Sequence, residues 1–233
     1  MKQFKLIAIV ILTLLITSCN KNEDQATGVG DVLIVAKKSG ANTVYGISLY
    51  AYTFSNFTSV SAVNSIESGT TYTLKSNQGF KTNFYCETPD AAFTTTKPAA
   101  STFNFSAVFE NGATQVFQDV LSDKVLPLPV FEKCEYNTLK RQLDVSWTAV
   151  TDADSYAINI LDGTTLVFGS TELANTVKLY SVSANGGGWA ADFIPVSGKT
   201  YNVRLLAFLY EPQGSAYNVQ ATSVSETTMI WGE

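Results

Sequence analysis

Histidine is absent from the 233 residues, and positive charge is scarce. Without an imidazole, the chain has no Ser/His/Asp or Cys/His catalytic arrangement and no zinc site that uses histidine. The 15 Lys and Arg residues are outnumbered by 20 Asp and Glu residues, which gives a formal charge of −5. Because binding to a phosphate backbone needs a basic face, we expect no nucleic-acid partner. We also expect no enzymatic activity, no catalytic residues, no metal ligands and no cofactor.

Charged residues make up only 15% of the chain, whereas hydrophobic residues make up 45%. This composition is typical of folded domains and excludes a disordered chain. Lys2 and Lys5 precede a mostly apolar run at residues 6–16, which is the pattern of a secretory signal peptide. As a helix this run spans roughly half of a ~30 Å hydrocarbon layer, so a transmembrane anchor is the weaker alternative.

The apolar run ends in Ile16, Thr17, Ser18 and Cys19. An aliphatic residue, two hydroxylated residues and a cysteine resemble the lipobox of bacterial lipoproteins. The resemblance implies that residues 1–18 are a signal peptide and that Cys19 becomes the acylated N-terminus. Two or three acyl chains anchor a protein stably on a membrane without crossing it. The alternative is an ordinary secretory peptide with a chance cysteine.

Residues 19–30 are polar, contain glycine and show no periodicity, so they predict a lipidated tether. Lys21 followed by Glu23 and Asp24 resembles the surface-export signal of lipoproteins in one phylum of Gram-negative bacteria. A plain solvated linker is the alternative interpretation. Together these features predict a lipid-anchored protein of the outer membrane that faces the cell surface, with the periplasmic face left open.

Alternation of apolar and polar residues dominates the chain from Asp31 onward, and no window with a helical period is long enough to predict a helix. The Asn111-Gly112 pair between two apolar runs predicts a β-hairpin. The fold class is therefore all-β, with an immunoglobulin-like sandwich over 31–126. Its predicted strands are 32–37, 44–54, 58–64, 72–75, 80–87, 103–109 and 114–120.

Pro127 and Pro129 then interrupt the strand pattern, because two prolines this close cannot both donate into a β-ladder. We place a domain boundary there, so that residues 127–233 form a second domain. The two domains are consecutive β-sandwiches that follow the signal peptide and the tether.

The second domain resembles fibronectin type III domains. That family carries a core tryptophan on its second strand, matched by Trp147, and a Tyr-x-Ile/Val start to its third strand, matched by Tyr156-Ala157-Ile158. It also carries a Leu-x-Pro-Gly-Thr-x-Tyr turn before its sixth strand, which residues 194–201 approximate. The resemblance implies that Trp147 lies in the core and that Tyr201 forms a tyrosine corner. Residues 171–188 depart from the family and predict extra structure or an enlarged loop.

Aromatic residues are the main candidates for ligand binding. Leu49 and Ala51 share one face of a predicted strand, while Tyr50, Tyr52 and Phe54 share the other. The aromatic face either forms the core of the sandwich or is an exposed ladder that stacks on sugar rings or docks a protein.

Trp189 follows three glycines at 186–188, so it either gates a ligand from a flexible loop or lies beside an ordinary turn. Asp152 and Asp154 are close enough in sequence to bind calcium, but a solvated turn is the better interpretation because one loop supplies too few ligands. Cys86 and Cys134 either form a disulfide between the domains or remain two separate thiols, and we favour separate thiols.

These expectations describe a non-catalytic binding or adhesion module that is presented beyond a membrane. A possible ligand is a glycan or a protein. The alternatives are an accessory glycan-binding lipoprotein of a polysaccharide-uptake system, a structural spacer and, less favoured, a glycan-active enzyme.

Overall fold

The computed structural model describes residues 27–67, 69–212 and 218–233. Cys19, the predicted signal peptide and most of the predicted tether lie outside the described residues. The described chain contains strands and one short 3-10 turn, Asp90–Ala92. No helix in these ranges has the length and apolar character needed to cross a membrane.

All seven strands predicted in the first half are present. Their bounds are β1 (Gly28–Ser39), β2 (Asn42–Thr53), β3 (Phe57–Asn64), β4 (Thr71–Asn77), β5 (Phe80–Glu87), β6 (Ser101–Phe109) and β7 (Thr114–Leu121). The second half contains β8 (Phe131–Asn137), β9 (Gln142–Trp147), β10 (Ser155–Asp162), β11 (Thr165–Gly169), β12 (Leu173–Ala174), β13 (Leu179–Ser183), β14 (Thr200–Tyr210) and β15 (Val219–Ile230). We call β1–β7 the first unit and β8–β15 the second unit.

The first unit is a sheet in the order β1-β2-β5-β4-β3-β6-β7, in which β4 pairs with both β5 and β3. The sheet folds over so that β1 and β2 pack their apolar residues against those of β3 and β6. This sandwich encloses a core rich in phenylalanine, with Phe57, Phe103, Phe105 and Phe109 fully buried. The predicted hairpin joins β6 to β7, and Gly112 adopts the positive φ of 83° that its turn requires.

The start of β1 differs from the prediction. The strand begins at Gly28, so residues 28–30 belong to the sheet and not to the predicted tether. The Gly28 amide donates to Gln115 Oε1 at 2.6 Å, and the Val32 amide donates to Asp119 Oδ2 at 2.7 Å. These side chains of β7 satisfy backbone donors of β1 that have no strand partner on that side, so the segment is held in place.

The second unit is a sandwich of the fibronectin type III kind. One sheet has the order β13-β9-β8, and it faces strands in the order β11-β10-β14-β15. Trp147 is buried in the core between them, as the resemblance implies. Within residues 171–188, β12 pairs with β10 and β13 pairs with β9 as the edge strand of the three-stranded sheet.

Two tyrosine hydroxyls tie loops to the second core. Tyr201 is buried, and its hydroxyl accepts a hydrogen bond from the Val196 amide at 3.0 Å, which is the predicted tyrosine corner. The hydroxyl of the buried Tyr156 likewise accepts from the Val150 amide at 2.8 Å. In each case a buried phenol satisfies a loop donor, so the ring and the turn are positioned together.

The two units share one sheet. β15, the last strand of the second unit, pairs in parallel with β1, the first strand of the first unit, in the register Ile34↔Ala221 to Lys37↔Val224. The result is a sheet of 12 strands that runs from β11 to β7. The two hydrophobic cores stay separate, one within residues 32–121 and the other within 126–231. The boundary after residue 126 remains a prediction.

Cys86 and Cys134 are free thiols that pack against different cores, which agrees with the favoured interpretation. Asp152 lies in a turn with φ 66°, and the Asp154 carboxylate accepts a hydrogen bond from the Tyr210 amide at 2.8 Å. Asp154 thus joins the loop before β10 to the end of β14. Within the described ranges, no group of three or more Cys, Asp or Glu side chains is arranged to hold a metal ion.

Candidate ligand-binding groove

The outer face of the shared sheet forms a groove where the two units meet. Side chains alternate between the two faces of a strand, so each core residue of β1, β2, β10 and β14 is followed by one that points away from the core. Outward-facing residues of β10, β14, β15, β1, β2 and β5 line a groove of about 970 Å³. Both units therefore contribute to one surface.

Tyr50, Tyr52 and Tyr85 form a ladder of rings on the side of the first unit, and we call them the tyrosine ladder. The centroids of Tyr50 and Tyr52 are 6.2 Å apart with ring planes 7° from parallel, and those of Tyr50 and Tyr85 are 6.4 Å apart at 21°. Leu49 and Ala51, on the opposite face of β2, are fully buried in the core. The tyrosines accordingly lie outside the core, and Tyr52 is 41% exposed.

The Tyr50 and Tyr52 hydroxyls stay protonated near neutral pH. Burial, with the nearby Glu87 carboxylate as a second cause, raises the pKa of Tyr50 well above its usual value. Burial and the charge of Asp31 raise the pKa of Tyr52 to about 12. The Tyr50 hydroxyl donates to Glu87 Oε1 at 3.1 Å. The ladder thus combines apolar ring faces with neutral hydrogen-bonding groups.

A segment after β5 forms one wall of the groove. A Cβ atom on Gly46 would lie 2.8 Å from the Phe93 ring and 2.8 Å from Thr88 Cβ, so only glycine lets this segment lie against β2. The Lys37 ammonium lies 3.7 Å from the centroid of the Phe93 ring and 2.5 Å from Asp90 Oδ1. This ion pair and cation–π contact hold the wall to β1.

The second unit supplies the other side of the groove. Leu206 and Phe208 are half-buried and follow the core residues of β14 in alternation. Arg204 on the same face binds Glu226 on β15, with Nε and Oε2 2.6 Å apart. The two residues are direct partners in the antiparallel register, so the ion pair crosses adjacent strands.

Asp31 is the most perturbed acid of the groove. Its side chain is almost fully buried, with a residue exposure of 3%, and Oδ2 accepts from the Val219 amide at 3.4 Å. Oδ1 is buried without a hydrogen-bond partner among the described residues. Burial, followed by the like charges of Asp119 and Glu211, raises the pKa of Asp31 to about 7. The acid lies beside the junction of β1 and β15, where the Val219 amide of β15 donates to it.

The lining contains four carboxylates and three cations. Lys37 and Arg204 are in the ion pairs described above, which leaves the exposed Lys38 as the remaining cation of the lining. Asp31 and Glu87 have no cationic partner within 4.0 Å among the described residues. The groove therefore offers little to attract an anionic ligand.

Two predicted site residues lie elsewhere. Phe54 is fully exposed just beyond the end of β2, and its side chain does not line the groove. Trp189 packs at the edge of the second core, with its ring 5.0 Å from Phe168 and 5.4 Å from Trp231 between centroids. Its indole N–H donates to the Ser183 carbonyl at 2.9 Å. The structure therefore brings Tyr50 and Tyr52 together and separates them from Phe54 and Trp189.

The sequence analysis missed Asp31 and Phe208 as groove residues and Tyr85 as a member of the tyrosine ladder. A signal for the shared sheet was present in the continuous apolar run 32–36, because a strand with both faces covered lacks alternation. Residues 205–209 form a similar run in β14. Both runs indicated strands in the interior of a sheet, although neither identified the partner strand.

No protein-family model matches the chain, and no curated protein matches it. Similar solved structures include the fibronectin(III)-like modules of Clostridium thermocellum CbhA, at 11% identity over 87% of this chain and 93% of that chain, with a TM-score of 0.28. A segment of two fibronectin type III domains from chicken tenascin has 13% identity over 84% of this chain and 98% of that chain, with a TM-score of 0.29.

A bacterial ice-binding adhesin is similar at 16% identity over 88% of this chain and 65% of that chain, with a TM-score of 0.27. At such low scores the fold assignment depends on the strand order and the core packing of the chain itself.

Proposed function

We propose that the protein is a non-catalytic binding module that uses the groove between its two units to hold a glycan. The observation that carries this proposal is the tyrosine ladder, which stands outside the core in a groove of about 970 Å³. A binding site needs a concave surface with apolar rings and a few placed polar groups, and this groove has all three.

Sugar rings suit this surface. Their C–H faces pack on aromatic rings, and their hydroxyls exchange hydrogen bonds with phenols, carboxylates and amides. The Tyr52 hydroxyl is a neutral donor, the Tyr50 hydroxyl, which donates to Glu87, can accept a hydrogen bond, and the Glu87 carboxylate is a further acceptor. Because ring packing and neutral hydrogen bonds do not release counterions, binding should be insensitive to salt.

The state of the groove carboxylates supports binding without turnover. Glycoside hydrolysis uses two carboxyl groups that face each other across the scissile bond. In the groove, Asp90 and Glu226 are ion-paired, Glu87 accepts from Tyr50, and Asp31 is enclosed beside the junction. None of the four is placed as a free member of such a pair.

We further propose that a lipid on Cys19 anchors the module to the outer membrane, where it faces the cell surface. The support is the lipobox-like sequence 16–19 together with the short polar stretch that follows it. With β1 beginning at Gly28, eight residues, 20–27, separate Cys19 from the sheet. At full extension they reach about 28 Å, which keeps the groove close to the membrane surface.

The ladder is tested with Tyr50→Ala/Tyr52→Ala, measured by affinity electrophoresis in starch, laminarin, xyloglucan and galactomannan. We expect wild type to be retarded by at least one polysaccharide, and the double variant to bind it about tenfold more weakly or worse, because two packing rings are lost. Phe54→Ala is the matched control, since it removes an exposed aromatic ring outside the groove and should leave retardation unchanged.

Circular dichroism of each variant is recorded first, because loss of the fold also abolishes retardation. A folded double variant that is retarded like wild type contradicts the role of the ladder. A wild type that no polysaccharide retards contradicts glycan binding and favours a protein ligand or a spacer role, for which the rigid shared sheet is also suitable.

The anchor is tested with Cys19→Ala in cells. The variant should fold and leave the membrane fraction, because the proposed anchor is covalent and precedes the first strand. Cys86→Ala is the matched control and should stay in the membrane fraction. Incorporation of labelled fatty acid into Cys19→Ala, or unchanged fractionation of that variant, contradicts lipidation at Cys19.

A further inference from the structure

We infer that the groove takes an uncharged glycan chain that is long enough to contact both units. This inference rests on the proposed function. It concerns the ligand class of the same groove. We call Phe208 on β14 and the tyrosine ladder the two aromatic patches of the groove, and the distance and the charges between them select the ligand.

The strand register gives the distance between the patches. Phe208 on β14 is opposite Thr222 on β15, which is opposite Val35 on β1. Tyr50 on β2 is opposite Asp31, four residues before Val35 along β1. With about 4.8 Å between strands and 3.3 Å per residue, Phe208 and Tyr50 are about 20 Å apart across the face. A single sugar ring cannot contact both residues.

The surface between the patches is lined without interruption. Thr222 of β15 and Leu33 and Val35 of β1 line the groove between Phe208 and the tyrosine ladder. These positions adjoin because β1 and β15 pair directly. A ligand chain lying across the strands therefore remains in contact with protein from one unit to the other.

The charges of the lining select against an acidic chain. Asp31 and Glu87 have no cationic partner on the described surface, whereas the guanidinium of Arg204 and the ammonium of Lys37 are already bound to carboxylates. Among the described residues, Lys38 is the single cation of the lining outside these ion pairs, so it offsets the two carboxylates only in part. An acidic polysaccharide would have to compete for these cations or accept repulsion from the acids. An uncharged chain meets neither obstacle.

The test uses the full chain and fragments of whichever neutral polysaccharide retards wild type, cut enzymatically and separated by size. Affinity is measured by calorimetry for each length. We expect affinity to rise about tenfold or more from the disaccharide to fragments that span the two patches, and then to level off. Alginate and pectin, which are acidic, should bind more weakly than the neutral chains.

Phe208→Ala tests the contribution of the second unit, and Ile194→Ala is its control because Ile194 is exposed on that unit away from the groove. For long fragments, both Phe208→Ala and Tyr50→Ala/Tyr52→Ala should weaken binding. For fragments too short to reach from Phe208 to the tyrosine ladder, only one of these two variants should bind more weakly than wild type. The length series on wild type remains decisive even if Phe208→Ala does not fold.

Equal affinity for the disaccharide and the long fragments overturns the inference, because one unit would then supply all the contacts. A folded Phe208→Ala that binds long fragments like wild type also overturns it. Either result leaves the proposed glycan binding in place if the ladder variant still loses affinity. Tighter binding of alginate or pectin overturns the assignment to uncharged chains. Failure of wild type to bind any polysaccharide contradicts the proposed function itself.

Discussion

Gly30 and Phe105 approach each other so closely that their contact leaves no room for a side chain on β1. A Cβ atom on Gly30 would lie 2.7 Å from two carbons of the Phe105 ring, which is fully buried. Gly28 is similarly close to Phe117, with a Cβ distance of 2.8 Å. The glycines that suggest a loose tether in the sequence are therefore small residues at a packed interface.

Gly30→Ala should lower the free energy of unfolding by roughly 1–3 kcal/mol, because the added methyl group overpacks the core. Gly187→Ala is the control, since nothing lies within 4 Å of its Cβ position, and its stability should be unchanged or slightly higher. Chemical denaturation of both variants measures the difference. If Gly30→Ala is as stable as wild type, the close packing of β1 against Phe105 is wrong.

Asp31 should make stability depend on pH. Its pKa is about 7 in the folded protein, against 3.8 for an ordinary Asp side chain, so the folded state keeps a proton that the unfolded chain releases. The contribution of Asp31 to the free energy of unfolding is therefore highest at and below about pH 4, and it falls as the pH rises to about 7. The raised pKa corresponds to a loss of up to about 4 kcal/mol across this range.

Asp31→Asn should remove most of this pH dependence, because the amide carries no charge at any pH in the range. Asp123→Asn, which changes an exposed acid, should retain it. The measurement is the free energy of unfolding in urea at several values between pH 4 and pH 7. An identical pH profile for wild type and Asp31→Asn would show that Asp31 is not the responsible group.

At the scale of elements, β9 and β14 illustrate how alternation positions a core. Leu143, Val145 and Trp147 of β9 face Tyr201 and Val203 of β14 across the second sandwich, and all five are buried. The period of two in the sequence is sufficient to place them on one face. The same period places Arg204 and Leu206 on the outer face, where the groove lies.

Trp147→Ala should cost about 3–5 kcal/mol of stability, because it leaves a large cavity in a closed core. Tyr201→Phe should cost less, about 1 kcal/mol, for the lost bond from the Val196 amide. Leu139→Ala, at a 96% exposed position, is the control and should change stability by less than about 0.5 kcal/mol. A negligible loss for Trp147→Ala in urea denaturation contradicts the sandwich assignment.

At the scale of the whole molecule, the parallel pair of β1 and β15 decides how the two units behave. Two sandwiches joined only by a linker unfold independently and reorient freely. Here the units share a sheet, and the hydroxyls of Ser223 and Ser225 on β15 donate to the carbonyls of Pro127 and Pro129 at 2.8 and 2.5 Å. The segment that enters the second unit is thus bound to the strand at the junction.

We expect the two units to unfold in one cooperative transition. All three tryptophans, Trp147, Trp189 and Trp231, lie in the second unit, so their fluorescence reports that unit alone, whereas far-UV circular dichroism reports both. The two signals should give the same midpoint in urea, and Gly30→Ala in the first unit should lower the fluorescence midpoint as well. Separate midpoints, or a fluorescence midpoint unaffected by Gly30→Ala, would show that the junction does not couple the units.

The all-β class, all seven strands of the first half and the hairpin at Asn111-Gly112 could be predicted from the amino-acid sequence. Each of these follows from local rules: a period of two, a turn that requires positive φ, and apolar residues that a half-buried strand places on one face. The positions of Trp147 and Tyr201 were implied by the resemblance to fibronectin type III domains. The sequence also selected Tyr50 and Tyr52, but it left open whether their face is core or surface.

Three features exist only in the folded chain: β1 pairs with β15, Gly28 and Gly30 are packed against phenylalanine rings, and Tyr50 and Tyr52 share a groove with Phe208. β1 and β15 are about 190 residues apart in the chain, and nothing in either strand specifies the other, because backbone hydrogen bonds are the same for every sequence. The positions of Phe54 and Trp189 also depend on the folded chain. Phe54 lies outside the groove because β2 ends before it, and Trp189 lies outside because it packs at the edge of the second core. The spacing of aromatic residues in the sequence predicts neither position.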